Sequence, residues 1–155
     1  MTAGLNTMVA FDTHLLERHS QHRNGRVTLA LRVDEDVVAM RKQVRERSVA
    51  IGLSLVEQTK LVTAATELAR NTIKYGGGGE VHLDALADGI KSGIGLLFVD
   101  AGPGIADVEL ALRDGYTTGG GLGLGLGGSR RLVDAFDIDT RPEEGTAVSI
   151  VKWKR

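Results

Sequence analysis

The chain predicts an α+β fold, a two-layer sandwich with one mixed, mostly antiparallel sheet and helices on one face of it. Three observations predict it. Two helical periodicities lie back to back, over Val37–Ile51 and Leu61–Ile73. Strand-like runs then follow one another directly, at Glu80–Val99 and at Phe136–Trp153, instead of alternating strictly with helices. The glycines, 21 in 155 residues, are clustered, which points to loops built for a ligand.

Residues 1–25 carry no sustained period and stand apart from residues 26–155, which read as one domain. Phe11, Leu15 and Leu16 make one short amphipathic turn with Asp12 as its cap. Three of the four histidines, His14, His19 and His22, sit here. The segment reads as a polar lead-in, with a docking segment or a metal site as alternatives, although no acidic or cysteine ligands accompany the histidines.

From Val27 to Val33 apolar and polar residues alternate, as in a half-buried strand. Asp34 stands where a helix cap belongs, and Val37, Met40, Val44, Ser48 and Ile51 follow at helical spacing up to Gly52. Ser54-Leu55-Val56-Glu57 is a capping-box pattern that opens a second helix, running to about Tyr75. Its inner stripe is Leu61, Ala65, Leu68 and Thr72, flanked by Val62, Ala69 and Ile73. Gly76 to Gly79 stop it, as a turn rather than as a phosphate loop.

Glu80–Asp88 alternates, with Val81, Leu83, Ala85 and Ala87 expected inward, and Lys91-Ser92-Gly93 reads as part of a turn. Ile94–Val99 is apolar without alternation, the pattern of a central strand covered on both faces or nearly so. The strand breaks at Asp100-Ala101-Gly102-Pro103-Gly104. A short helix over Asp107–Arg113, a glycine loop, a helix over Leu124–Ala135, a strand over Phe136–Thr140, a turn at Pro142–Gly145 and a last strand over Ala147–Trp153 complete the domain.

Composition narrows the function classes. The net charge is −1 and the pI near 6.4, so no basic field favours nucleic acid. The absence of cysteine removes disulfides and suits a reducing cytosol. No apolar run approaches the ~20 residues of a membrane span, so the expectation is a cytoplasmic protein with neither a membrane nor a nucleic-acid partner.

Seven of the ten residues Gly119–Gly128 are glycine, and the loop runs into a helix, so bare amides face an anion. A Walker loop is excluded, because no Gly-Lys-Ser/Thr triplet occurs. Gly123, Gly125 and Gly128 match the dinucleotide pattern formally, but polar turn residues precede them where a strand is required. The remaining scheme is distributed. Glu67 and Asn71 lie four apart on one helix face, Asp100-x-Gly-x-Gly follows a buried strand, Gly-Leu-Gly-Leu-Gly comes next, and Glu144-Gly145-Thr146 precedes the final strand.

In that order these are the N box, G1 box, G2 box and terminal Gly-Thr of the GHKL ATPases (gyrase B, Hsp90, histidine kinases and MutL), which the chain resembles from about Val27 to its end. Glu67-Leu-Ala-Arg-Asn71, Asp100-Ala-Gly-Pro-Gly-Ile105, Asp114–Gly128, Arg130-Arg131-Leu132, Phe136-Asp137-Ile138 and Val151-Lys152-Trp153 resemble the RsbT-type switch kinases more closely. That resemblance implies the Bergerat ATP-binding fold, with ATP and Mg2+ as ligands. It also implies a serine/threonine protein kinase that phosphorylates STAS-domain scaffold and antagonist proteins of a stressosome and, once released, activates a PPM-type phosphatase. The alternative is an anti-sigma-factor kinase or a nucleotide-gated binding module that holds a sigma factor. Residues 1–25 fall outside the resemblance.

By the same resemblance, Asp100 reads the adenine amine, a role its chemistry supports because a carboxylate only accepts and adenine donates there. Gly102, Gly104 and Ile105 close over the base, and Thr146 assists. Asn71 gives Mg2+ one oxygen, enough for an ion that keeps waters and phosphate oxygens. Thr117, Thr118, Gly119, Gly120, Gly121, Leu122, Gly123, Leu124, Gly125 and Leu126 belong to the nucleotide loop and its lid. Glu67 is the expected base. Arg130 and Arg131 read as a solvated or partner-facing surface, with phosphate contact as the alternative.

Overall fold

Local capping decides where the two long helices begin. The computed structural model describes residues 26–113 and 125–155. Strand β1 spans Val27–Leu31 and helix α1 Asp34–Ile51. The cap residue is Val33 rather than Asp34, and Asp36 does the capping, its carboxylate accepting from the amides of Arg32 at 2.8 Å and Val33 at 3.1 Å. The strand therefore ends two residues before Val33. In α2, Leu55–Lys74, the capping box forms as expected: the Ser54 hydroxyl accepts from the Glu57 amide at 3.1 Å, and the Glu57 carboxylate accepts from the Ser54 amide at 2.9 Å.

Strand β2 spans Gly79–Asp88 and β3 Lys91–Asp100, joined by a two-residue turn at Gly89-Ile90. Lys91-Ser92-Gly93 thus belongs to the strand and not to the turn, because Asp88 pairs with Lys91 and the ladder continues inward from there. The single turn α3 is Val108–Ala111, and α4 is Gly125–Arg131. Helix α4 stops four residues before the expected Ala135. The Asp134 amide donates to the Val151 carbonyl at 2.9 Å and its carboxylate accepts from the Trp153 amide at 2.7 Å, which draws the chain into the sheet. Strands β4, Ala135–Arg141, and β5, Gly145–Trp153, close the fold.

The sheet order is β1-β2-β3-β5-β4, and every pairing is antiparallel among the described residues, so the expected mixed element is not found there. The α+β sandwich itself is observed. One sheet face, carrying Val81, Leu83, Ile94, Leu96, Phe98, Val148 and Ile150, packs on Met40, Val44, Leu61, Ala65 and Leu68 of the helices. The predicted stripe of α2 is buried throughout. Alternation in β2 holds for Val81 and Leu83, whereas Ala85 is only partly buried and Leu86 is buried on the opposite face. There Leu86, Leu97, Val99, Ala147 and Val151 form a second apolar cluster.

No helix among the described residues is long and apolar enough to cross a membrane.

Candidate functional site

A cleft of about 600 Å³ opens between the second half of α2 and the C-terminal end of β3. The α-helical repeat places Glu67 and Asn71 one turn apart, and both line this cleft. Glu67 is 6% exposed, and its Oε1 is buried without a hydrogen-bond partner. A carboxylate oxygen kept dry and unpaired is costly, so such an atom marks a place where a substrate group or water is to be met.

Asp100 ends β3 on the opposite wall. Its Oδ1 accepts from the Gly102 amide at 2.9 Å, an Asx-type turn that fixes the carboxylate. Burial pushes the Asp100 carboxyl above the ordinary aspartate value of 3.8, against the amides of Gly102 and Thr146, which hold it down. Gly76 makes the close approach possible: a Cβ there would overlap the Asp100 side chain, with Oδ2 only 2.6 Å away. Gly102 faces the Gly76 backbone in turn, behind Asp100, and does not line the cleft.

Gly104, Ile105, Gly125, Leu126 and Thr146 do line it, with Phe98 and Val148 as its apolar floor. The Ile105 amide donates to the Thr140 hydroxyl at 2.8 Å, and that hydroxyl lies 2.9 Å from the Thr146 hydroxyl. The Glu143 amide donates to the Pro103 carbonyl at 2.8 Å. The loop after β3 is therefore stitched to the β4–β5 turn, which holds the second wall in place.

Glu67, Asn71, Asp100, Gly104, Ile105, Gly125, Leu126 and Thr146 thus share one cleft. Thr117, Thr118, Gly119, Gly120, Gly121, Leu122, Gly123 and Leu124 lie outside the described residues. Arg130 and Arg131 are exposed on α4, off the cleft wall. Sequence reasoning missed several lining residues. Arg70 and Lys74 are the only cations on the described wall, Lys74 standing over the Tyr75 ring at 5.3 Å, and Asp34 and Asp107 sit at the rim. The i+3 spacing of Lys74 from Asn71 was a usable signal. Thr140, next to the end of β4 and behind the cleft wall, carries no such signal.

The donor set decides what the cleft can hold. Asp100 offers acceptors only, set over an apolar floor, which fits a flat base bearing an exocyclic amine. No cluster of three or more His, Cys, Asp or Glu that could hold a metal occurs among the described residues. A divalent ion here would take Asn71 and otherwise waters and phosphate oxygens, as suits Mg2+.

Residues 56–155 match the family described as histidine kinase-, DNA gyrase B- and HSP90-like ATPases. Over 132 residues, 85% of this chain and 99% of the relative, the sequence is 37% identical to the serine/threonine-protein kinase RsbT of Bacillus subtilis strain 168. The fold is similar to a crystal structure of the RsbU and RsbW domains of a Mycobacterium tuberculosis protein, with a TM-score of 0.59 at 19% identity. That likeness covers 84% of this chain and 33% of the other, so this chain spans about a third of that structure's length. The chain belongs to the histidine kinase-, DNA gyrase B- and HSP90-like ATPase family, and within it to the RsbT-type serine/threonine protein kinases.

Proposed function

We propose that this kinase transfers the γ-phosphoryl group of ATP to a serine or threonine of a STAS-domain scaffold or antagonist protein in the cytoplasm, and that its release lets it bind and activate a PPM-type phosphatase. The observation that carries the reading is the convergence of Glu67, Asn71 and Asp100 on one cleft. In the proposed reaction the substrate hydroxyl oxygen forms a bond to the γ-phosphorus while the bond to the bridging oxygen breaks and ADP leaves. Glu67 orients that hydroxyl and takes its proton, which gives its unpartnered Oε1 a role. Mg2+ supplies charge neutralisation on the phosphates, with Asn71 as its one protein ligand. Asp100 and Thr146 position the adenine, and Gly104 and Ile105 cover it. The amides of Gly119 to Leu126, with Thr117 and Thr118 in the lid, receive the phosphates.

Labelled ATP incubated with this kinase and a STAS-domain protein from the same genome tests the reading. Label on serine or threonine is the expected result. Binding without transfer, or recovery of a sigma factor from lysate in place of a STAS partner, would instead favour a nucleotide-gated binding module.

A further inference from the structure

A phosphoryl group passing between two oxygens spreads its charge over three equatorial oxygens, and the protein helps chiefly by holding opposite charge beside them. The described wall of the cleft is short of such charge. Asp34, Glu67, Asp100 and Asp107 line it as carboxylates, against Arg70 and Lys74 as cations. The cations of α4, Arg130 and Arg131, stand off the wall.

The direction of α2 decides which of the two cations faces the reacting end. Asp100 packs against Gly76, two residues past the end of the helix, so the proposed base site lies there. Lys74 belongs to the same end, its ammonium held over the Tyr75 ring. Glu67 lies two turns back along the helix, about 10 Å from Lys74 at the helical rise. Arg70 is three residues from Glu67 and directly precedes Asn71, so it stands where the phosphates would end.

The state of the Arg70 side chain is the second observation. It is exposed at the cleft, and its guanidinium makes no hydrogen bond or ion pair with a described residue. Yet Glu67, at the spacing where glutamate and arginine ordinarily pair on a helix, has a buried Oε1 with no partner at all. Glu67 is buried and Arg70 exposed, so pairing would cost the guanidinium its water for a single carboxylate. Each group thus stays available to a third: acceptor oxygens from one, five donors from the other.

We propose that Arg70 is a second catalytic residue, whose guanidinium donates to two oxygens of the ATP γ-phosphoryl group. It stays on that group while the bond to the bridging oxygen breaks and the bond to the substrate hydroxyl forms. The inference rests on the nucleotide reading of the cleft. Arginine suits the task because its planar fork matches the edge of a phosphoryl group and its charge does not titrate. It also offsets the Glu67 carboxylate, which the same reading sets beside the entering hydroxyl. ADP lacks the group that Arg70 holds, so this residue makes the cleft prefer ATP to ADP.

Calorimetry of ATP and of ADP, each with Mg2+, on the full chain tests the assignment without any protein substrate. Arg70→Ala is expected to weaken ATP by about 10-fold and to leave ADP unchanged. Arg70→Lys keeps the charge but not the fork and should fall between. Arg45→Ala, exposed on α1 and off the cleft wall, controls for lost surface charge and should alter neither. Since Arg70 is exposed and unpaired, its substitution should spare the fold, and unchanged ADP binding verifies this. In single-turnover transfer to a STAS-domain protein, Arg70→Ala should be slower by roughly 10²- to 10³-fold. An ATP-to-ADP preference equal in the unmodified chain and Arg70→Ala, or transfer by Arg70→Ala at the unmodified rate, overturns the assignment. If the preference falls in Arg70→Ala but no STAS-domain protein is labelled, Arg70 keeps its γ-phosphoryl contact and the proposed substrate is what fails. An unmodified chain that binds neither nucleotide removes the reading of the cleft, and Arg70 with it.

Discussion

The two walls of the cleft are built by opposite means. The α2 wall is a regular helix whose repeat sets Glu67 and Asn71 one turn apart, with no loop involved. The β3 wall is irregular backbone held by three small devices: the Asp100–Gly102 turn, the Thr140 hydroxyl and the bare Gly76 opposite. The comparison teaches a division of labour. The proposed phosphoryl chemistry rests on the element that is hardest to deform, and the proposed base recognition rests on one that several weak contacts must hold together.

The sharpest way to break that division is to change one wall at a time. Glu67→Gln keeps shape and removes the proton acceptor, so ATP affinity should stay near normal while phosphoryl transfer falls roughly 10²- to 10⁴-fold. Single-turnover transfer set beside calorimetric ATP binding reads both, and a loss confined to binding would show that the α2 wall is not the reactive one.

Asp100→Asn should do the reverse, weakening ATP by about 10- to 100-fold, the worth of a hydrogen bond to a charged group. The same residue gives a pH signature. Because burial raises its pKa above 3.8, protonation on acidification begins at a higher pH than for an ordinary aspartate. Protonation spends an acceptor oxygen on an O–H donor, so ATP affinity of the unmodified kinase should fall as pH drops towards that raised value. In Asp100→Asn this dependence should be missing, as isothermal titration across pH will reveal.

Smaller effects test the stitching. Gly76→Ala would drive a Cβ into Asp100, and a cost of about 1–3 kcal/mol together with weaker ATP binding is expected. Gly77→Ala is its comparison: φ is +75° with nothing within 4 Å, so only the roughly 1–2 kcal/mol backbone penalty applies and ATP binding should survive. Denaturant melts with and without nucleotide separate the two. Thr140→Val removes the acceptor of the Ile105 amide and should cost about 1 kcal/mol in the same melts, with ATP binding only slightly reduced.

The same contrast explains what the sequence makes legible. The buried stripe of α2, its capping box and the pairing of Glu67 with Asn71 follow from periodicity, which is a local property. Asp100 is legible because it ends an apolar run and precedes two glycines. Thr140 and Gly76 are not, since each matters through a residue far away in the chain whose proximity only the folded sheet creates. The expected helix overruns the short α4 for a related reason: the residues after Arg131 have helical composition, but Asp134 is claimed by the backbone of β5. The unalternating β3 signalled a strand covered on both faces, while the order of elements signalled helices on one face only. Among the described residues both hold: β3 is buried along most of its length, and the helices pack on one face of the sheet.

On the role proposed for Glu67, its lone oxygen sets heat resistance against turnover. A leucine at that position would occupy comparable space with no polar atom to desolvate, so the resting fold is better off without the carboxyl group proposed as its base. A laboratory screen that rewarded only survival of heating would therefore be drawn to position 67 and, if Glu67 is the base proposed above, would return a sturdier protein that has ceased to be a kinase.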